Sequence, residues 1–412
     1  MLLKRKFYLG ILLLLLSFNS LLLASATLSE TEPNDTPAQA NSLNSRTTIR
    51  GSINPATDVD FYKVRGINDL WGVVAFLDTE NSTSSKTGVL ALYDSDGSTL
   101  LQQDVSKSGK NGVIAWEQFT GRDEHFLRVT EAGQNQRISD YNLSYFALDI
   151  GRRGQEHAEQ EPNNSLAAAN TAARVNRGVV ASATDKDCYA VYARAGETFH
   201  FVLNSDPEHD GGADLALDLY KKNGALWMQA NRAGSSGNEY LRDVKIPVEG
   251  VYTYCVRGVS GAGPAASYLV GTIVNERGYE PHFQHTIQWD NPRPGNFARV
   301  GEEMRYTAKF NYTEPLTIPD ELRLHVYYHP ECMDVVDAGS PDYQYSTAFG
   351  WRYDSLSPNT SITKHFTMRA KAPCANSISF DVVMDYYSTG WGRTARYTIG
   401  QGYYLPLVLT KD

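Results

Sequence analysis

The chain contains the same block of sequence twice. Residues 30–41 read ETEPNDTPAQAN and residues 159–170 read EQEPNNSLAAAN, a shared E-x-E-P-N-[DN]-[TS]-x-A-x-A-N. Downstream, GSINPATDVDFYKV from Gly51 to Val64 matches GVVASATDKDCYAV from Gly178 to Val191 through A-T-D-x-D-x-Y-x-V. LALYDSDG from Leu90 to Gly97 then matches LDLYKKNG from Leu217 to Gly224. The offset is 129 residues for the first block and 127 for the other two, so one short deletion separates the copies. Three blocks in one order describe two copies of a single unit, and any fold proposed for one copy must serve the other.

Each copy reads as short strands. In the first copy they are Phe61 to Val64, Val73 to Leu77, Val89 to Tyr93, Phe126 to Val129 and Tyr141 to Leu148. The second copy offers Tyr189 to Tyr192, Thr198 to Leu203, Leu215 to Tyr220, Val251 to Val256 and Tyr268 to Ile273. Phe199, Phe201 and Leu203 alternate with Thr198, His200 and Val202, which predicts a sheet with one buried face. Asp96-Gly97 and Asn223-Gly224 mark tight hairpins. Regular short strands between turn signals predict β-sandwiches at residues 27–150 and 157–275. Linkers fall at Gly151 to His157 and Asn275 to Pro281.

Residues 280–403 lack the repeat but carry strand-like runs at Met304 to Phe310, Leu322 to Tyr328, Ser361 to Met368, Ile378 to Met384 and Arg396 to Ile399. They read as a C-terminal immunoglobulin-like sandwich in an all-β chain. Residues 404–412 form a tail, either a sorting signal or a plain final strand.

The chain opens with Lys4, Arg5 and Lys6, then an apolar run from Phe7 to Leu16, and Ala24-Ser25-Ala26 after Leu21 to Leu23. That order predicts a secretory signal peptide over residues 1–26. A membrane anchor is the rival reading, but Ser17, Asn19 and Ser20 interrupt the run and no basic stop-transfer cluster follows. No membrane insertion is expected after cleavage, and the product is secreted or held at the cell surface. Removing three cations takes the net charge from −9 to −12. Such a surface lacks the cations that nucleic acid or anionic membranes require, and it suits cation binding.

Of the three possible pairings of the four cysteines, only Cys188 with Cys255 and Cys332 with Cys374 keeps each bridge inside one unit. An oxidising compartment favours that arrangement. Zinc is the alternative, without any pair at short ligand spacing.

The repeated motif concentrates hard oxygen donors. In an extended chain Glu30, Glu32 and Asn34 share a face, as do Asp58 and Asp60. Pro33 and Pro162 bias Glu32 and Glu161 towards extended geometry. Calcium, with six to eight oxygen ligands, suits two converging clusters better than magnesium does.

These residues carry a resemblance. The E-x-E-P-N-[DN] start, the D-x-D-x-Y strand and the closing hairpin resemble bacterial pre-peptidase C-terminal (PPC) domains over roughly residues 28–150 and 157–275. Those are jelly-roll-like sandwiches attached to secreted peptidases and related to the collagen-binding modules of collagenases. The resemblance implies calcium at Glu30, Glu32, Asn34, Asp35, Asp58 and Asp60 in the first copy. In the second it implies Glu159, Glu161, Asn163, Asn164, Asp185 and Asp187. The second set has Asn164 where the first has Asp35, so weaker binding is expected there. The third unit is similar to immunoglobulin-like repeats of bacterial surface proteins, through Val300-Gly301-Glu302, Tyr306-Thr307-Ala308 and Ser357-Pro358-Asn359.

Catalytic signatures are missing. There is no H-E-x-x-H and no G-x-S-x-G, and Gly258-Val259-Ser260-Gly261 reads as a hairpin turn. His325 and His329 fall on one face of a strand near Glu331, a weak metal site at best. Aromatic residues including Tyr327, Tyr328, Tyr343, Tyr345, Trp351, Tyr353, Tyr386, Tyr387 and Trp391 crowd the third unit, where exposed rings could stack on sugar or peptide.

The expectation is a non-catalytic calcium-binding protein acting as an extracellular binding or adhesion module for protein or polysaccharide. An accessory subunit of a separately encoded secreted peptidase is the second reading. A hydrolase with an unrecognised site in the third unit is the third.

Overall fold

A computed structural model describes residues 27–65, 71–118, 124–149, 156–275, 277–278, 282–291, 297–318, 321–372, 378–386, 395–398, 403–405 and 408–410. The expected signal segment, Cys374, Tyr387 and Trp391 lie outside them, as does the side chain of Tyr386.

The described chain is all-β, with sheets stacked as sandwiches. The first copy contributes β1 Thr27–Ser29, β2 Asn41–Ser42, β3 Thr47–Ile53, β4 Val59–Arg65, β5 Trp71–Asp78, β6 Gly88–Tyr93, β7 Leu100–Val105, β8 Gly112–Gln118, β9 Glu124–Glu131 and β10 Ile138–Asp149. The second contributes β11 His157–Ala158, β12 Asn170–Thr171, β13 Val175–Val179, β14 Lys186–Ala193, β15 Thr198–Asn204, β16 Asp214–Tyr220, β17 Leu226–Ala230, β18 Glu239–Lys245, β19 Gly250–Ser260 and β20 Ser267–Val274. The first copy's sheets run β1-β3-β10-β5-β8 and β2-β4-β9-β6-β7. Those of the second run β11-β13-β20-β15-β18 and β12-β14-β19-β16-β17, with a short strand Arg277–Gly278 added beside β20. Adding ten to each label converts one pattern into the other.

Period-2 alternation builds each core. In β5, Val73, Ala75 and Leu77 point inward with Ile49, Tyr62, Leu127 and Tyr141. In β15, Phe199, Phe201 and Leu203 do the same with Tyr189, Leu217 and Tyr254. The expectation of one buried face fails for β15, because its other face is covered too. Val202 is fully buried and His200 nearly so. They pack against the first sandwich, in a cluster joining Val74, Phe76, Trp116, Phe146 and Leu148 to Val175, Val202, Tyr240, Leu269 and Ile273. Burying each large apolar side chain there contributes about 1.5–3 kcal/mol.

The same contact covers an exposed sheet edge. Trp116 Nε1 donates to the Val202 carbonyl at 2.8 Å. Asn204 Nδ2 donates to Ala115 O at 2.9 Å, and Asn238 Nδ2 donates to Val113 O at 2.9 Å. The two asparagines occupy carbonyls of the edge strand β8, which would otherwise be a template for strand addition.

In the third unit, one sheet runs Phe283–Trp289, Glu303–Tyr312, Ser361–Ala370, Met333–Asp337. The facing sheet includes Ala348–Tyr353, Glu321–Tyr328 and Ile378–Tyr386, around Tyr306, Leu324, Phe349, Trp351 and Phe366. Within the expected tail, Val408–Thr410 pairs in parallel with Phe297–Arg299. His282 sits between Glu197 of the second copy, at 3.3 Å, and Glu314 of the third unit, at 2.6 Å. His325 is buried beside Tyr343 Oη, whereas the exposed His329 pairs with Glu331, so the two histidines form no common site. Trp351 belongs to the core, and Tyr345 is 59% exposed.

Cys188 and Cys255 face each other across β14 and β19 and form a disulfide. Cys332 is buried, and its expected partner Cys374 lies outside the described residues.

Candidate metal centres

Each motif runs beside its own sandwich before the chain enters it. Glu30 N donates to Arg50 O at 3.0 Å and Glu159 N to Arg177 O at 2.9 Å, extending the pairing of β1 and β11. The last residue of the motif fastens the segment. Asn41 accepts from Thr31 N at 2.7 Å and donates to Thr31 O at 2.8 Å. Asn170 treats Gln160 in the same way, at 2.8 and 2.9 Å. The peptide bonds Glu32–Pro33 and Glu161–Pro162 are both cis.

The fastened segment brings Glu30 and Glu32 to Asp60, with ligand atoms within 4.8 Å of one another, and Glu159 and Glu161 likewise to Asp187. Glu30 Oε1 accepts from Ser52 N at 2.6 Å, and Oε2 from Tyr62 Oη at 2.8 Å and Tyr141 Oη at 3.1 Å. Tyr141 also donates to Asp60 Oδ2. In the second copy Glu159 accepts from Val179 N at 2.8 Å and Tyr268 Oη at 3.1 Å, and Tyr268 donates to Asp187 Oδ2 at 2.7 Å. A Cβ at Gly51 would collide with the Glu30 carboxylate and the Tyr141 ring, and one at Gly178 with Glu159 and Tyr268. Both glycines are required by close approach.

Three carboxylates this close repel one another. Burial first, and then the charge of Glu30, pushes Asp60 up to about 9; the Tyr141 hydrogen bond opposes this. Burial and the charge of Glu159 push Asp187 up to about 8, again against its tyrosine. At neutral pH each trio must therefore either keep a proton or gain a cation.

The donors fit a cation. Asn34 and Asn163 are fully buried. The Asn34 amide lies 3.0 Å from Asp60 Oδ1 and 3.1 Å from Glu32 Oε2; with its nitrogen on that side it donates to both, and turned over it presents its oxygen to an ion instead. Asn163 Nδ2 instead donates to Asn170 Oδ1 at 3.3 Å. Asn163 Oδ1 and Asp187 Oδ1 are thereby left buried with no hydrogen-bond partner. Buried oxygens in that state are costly unless something positive meets them. Either cluster could hold a metal ion.

The remaining expected ligands lie elsewhere. Asp58 accepts from Asn54 N at 2.9 Å and Val59 N at 3.0 Å, in the turn before β4, where strand alternation does not apply. With Glu32 and Asp35 it forms a second, more exposed trio. Its counterpart Asp185 accepts from Ala181 N at 2.7 Å and Lys186 N at 3.0 Å, and Asn164 accepts from Lys186 N at 3.2 Å. No such second trio occurs in the second copy among the described residues.

Sequence reasoning missed the tyrosine pairs, the two glycines and the fastening asparagines. A signal was available, since Tyr62, Tyr141 and Gly51 recur as Tyr189, Tyr268 and Gly178 at the 127-residue offset.

No family model and no curated protein matches the chain. Among solved structures, a β-glucuronidase from Bacteroides uniformis aligns over 53% of this chain and 26% of its own, at 10% identity and a TM-score of 0.18. An α-2-macroglobulin from Escherichia coli, spanning domain MG7 to the C-terminus, aligns over 48% and 33%, at 10% identity and a TM-score of 0.20. The chain thus spans about a quarter to a third of these structures, and likenesses this low carry no argument about function.

Proposed function

We propose that this is a secreted, non-catalytic calcium-binding protein of the PPC type, acting as an extracellular binding or adhesion module for protein or polysaccharide. One observation carries the reading. The same cluster of three carboxylates, an asparagine and a tyrosine pair is built twice, each time from the entering segment and the sandwich behind it. Glu30, Glu32, Asn34 and Asp60 would hold one ion, and Glu159, Glu161, Asn163 and Asp187 the other. Bound calcium would supply the positive charge that neutralises the trio. Tyr62 and Tyr141, or Tyr189 and Tyr268, orient the carboxylates from the core side. Glu30 and Glu159 hold the entering segment against β3 and β13, so an ion there would stiffen the approach to each sandwich.

Calcium that binds only the native state must raise its melting temperature. In calorimetry of the full chain at pH 7, calcium is expected to raise both sandwich transitions, magnesium to do so less, and chelation to reverse the rise. Glu30→Gln with Asp60→Asn should remove the response of the first sandwich, and Glu159→Gln with Asp187→Asn that of the second. A melting profile indifferent to calcium and chelator would mean that retained protons, not metal, satisfy the clusters. Retention on insoluble protein or glycan in a calcium-dependent manner tests the binding role.

A further inference from the structure

The contact between the first two sandwiches is made by equivalent sheets, and it is reciprocal. Strand β8 of the first lies against β15 of the second, through Trp116 on Val202 and Ala115 on Asn204. Strand β5 of the first lies against β18 of the second, with Phe76 and Tyr240 rings 5.7 Å apart and the Arg242 guanidinium 5.0 Å from the Phe76 ring. Since β15 is the counterpart of β5 and β18 of β8, the two contacts are one contact with its partners exchanged. Individual residues obey the same exchange. Asn238 reaches the backbone of Val113, and their counterparts Asn111 and Tyr240 meet through Asn111 N and Tyr240 Oη at 2.6 Å. Arg242 donates to Ser144 at 3.1 Å. On the other side Trp116, next to Ala115 (the counterpart of Arg242), closes over Gly271, the counterpart of Ser144, where no Cβ would fit.

A patch that contacts its own counterpart in both directions is isologous, and isologous contacts close on themselves. We propose that the first two sandwiches are a fused isologous pair: each is the other's binding partner through this face, and the contact holds without the chain that joins them. Divergence has made the fit specific to this pair. Trp116 stands opposite Val202 and Gly271, whereas its own counterpart is Asp243, so two first sandwiches would set Trp116 against Phe76.

The test cuts the join in the whole protein. A protease site is inserted within residues 150–155 of the full chain and cleaved under native conditions. The two products should co-elute as one particle of unchanged mass at micromolar concentration and separate only in denaturant. Separation on cleavage alone would overturn the proposal. The cleaved Phe76→Arg, Phe146→Arg variant should come apart, and if it stays together this face is not what joins the sandwiches. Tyr240→Ala, a gentler change, should raise the dissociation constant of the cleaved pair at least ten-fold. An unchanged constant would count equally against it.

Discussion

The two copies share one carboxylate cluster but finish the outer face of the sheet containing β4 or β14 differently. At one registered pair of facing positions, the first copy has Phe61 and Arg128 and the second has Cys188 and Cys255. Around Phe61 the first copy packs Ala91, Tyr93 and Phe126, with the Arg128 guanidinium 4.8 Å from the Tyr93 ring. The second copy has Asp218, Tyr220 and Thr253 at the matching positions. It joins Asp218 to Arg257 at 3.1 Å, and Lys186 to Tyr220 at 2.7 Å. An aromatic cluster and a disulfide with a polar network therefore do the same stabilising task. A sheet surface can be closed in many ways, but a cluster of close carboxylates tolerates few substitutions.

The largest expected effect breaks that comparison at the disulfide. The bridge closes a 67-residue separation, worth on the order of 4 kcal/mol through the unfolded chain. Cys188→Ala with Cys255→Ala should lower the second sandwich's melting transition well below its wild-type value and leave the first nearly unmoved in calorimetry. An unshifted second transition would mean that the polar network alone suffices. Next, Gly51→Ala and Gly178→Ala should each cost about 1–3 kcal/mol by overpacking. They should blunt the calcium response of their own sandwich to the same degree, because the crowding is the same in both. Unequal losses in a paired calcium titration would show that the clusters have diverged.

The two junctions should respond to pH with opposite sign. Burial, aided by the charge of Arg242 and opposed by Asp243, holds His200 down to about 4. Its contribution to the first junction is present above about 6.5 and lost as pH falls towards 4. Burial also disfavours charge on His282, but the hydrogen bonds to Glu197 and Glu314 outweigh it and raise it to about 9. Its contribution to the second junction is present below about 6.5 and lost as pH rises through 9. Melting measured from pH 4 to 10 should show a smaller acid loss in His200→Phe than in the wild type, and a smaller alkaline loss in His282→Gln, the carboxylate clusters supplying the rest of the alkaline loss. The smallest effect belongs to Arg128→Ala, which should cost less than about 1 kcal/mol in the first transition, as befits a cation–π contact at a sheet surface.

Much of this architecture was legible in the sequence because it is periodic. Strands such as Met304 to Phe310 and Leu322 to Tyr328 fall within observed strands of the third unit. Strands lacking clean alternation, such as Met333–Asp337, were not read. The carboxylates that meet were all in the expected set, and so was the disulfide between Cys188 and Cys255. Asp58 was read onto the strand face with Asp60 because alternation was extended back into the turn before β4. The tyrosine pairs escaped because Tyr141 and Tyr268 come from a strand far away in sequence, in blocks with little other likeness.

By itself the sequence determined that the chain is a duplicated all-β protein with acidic entering segments, since strand periodicity and repetition are local properties. Only the tertiary structure decided that His200 and Val202 face a partner sandwich rather than water. It alone also decided that two carboxylates of each motif converge with a strand aspartate beside a buried asparagine. Both outcomes depend on which distant strands become neighbours, and a pattern with period two specifies a face without specifying what will cover it.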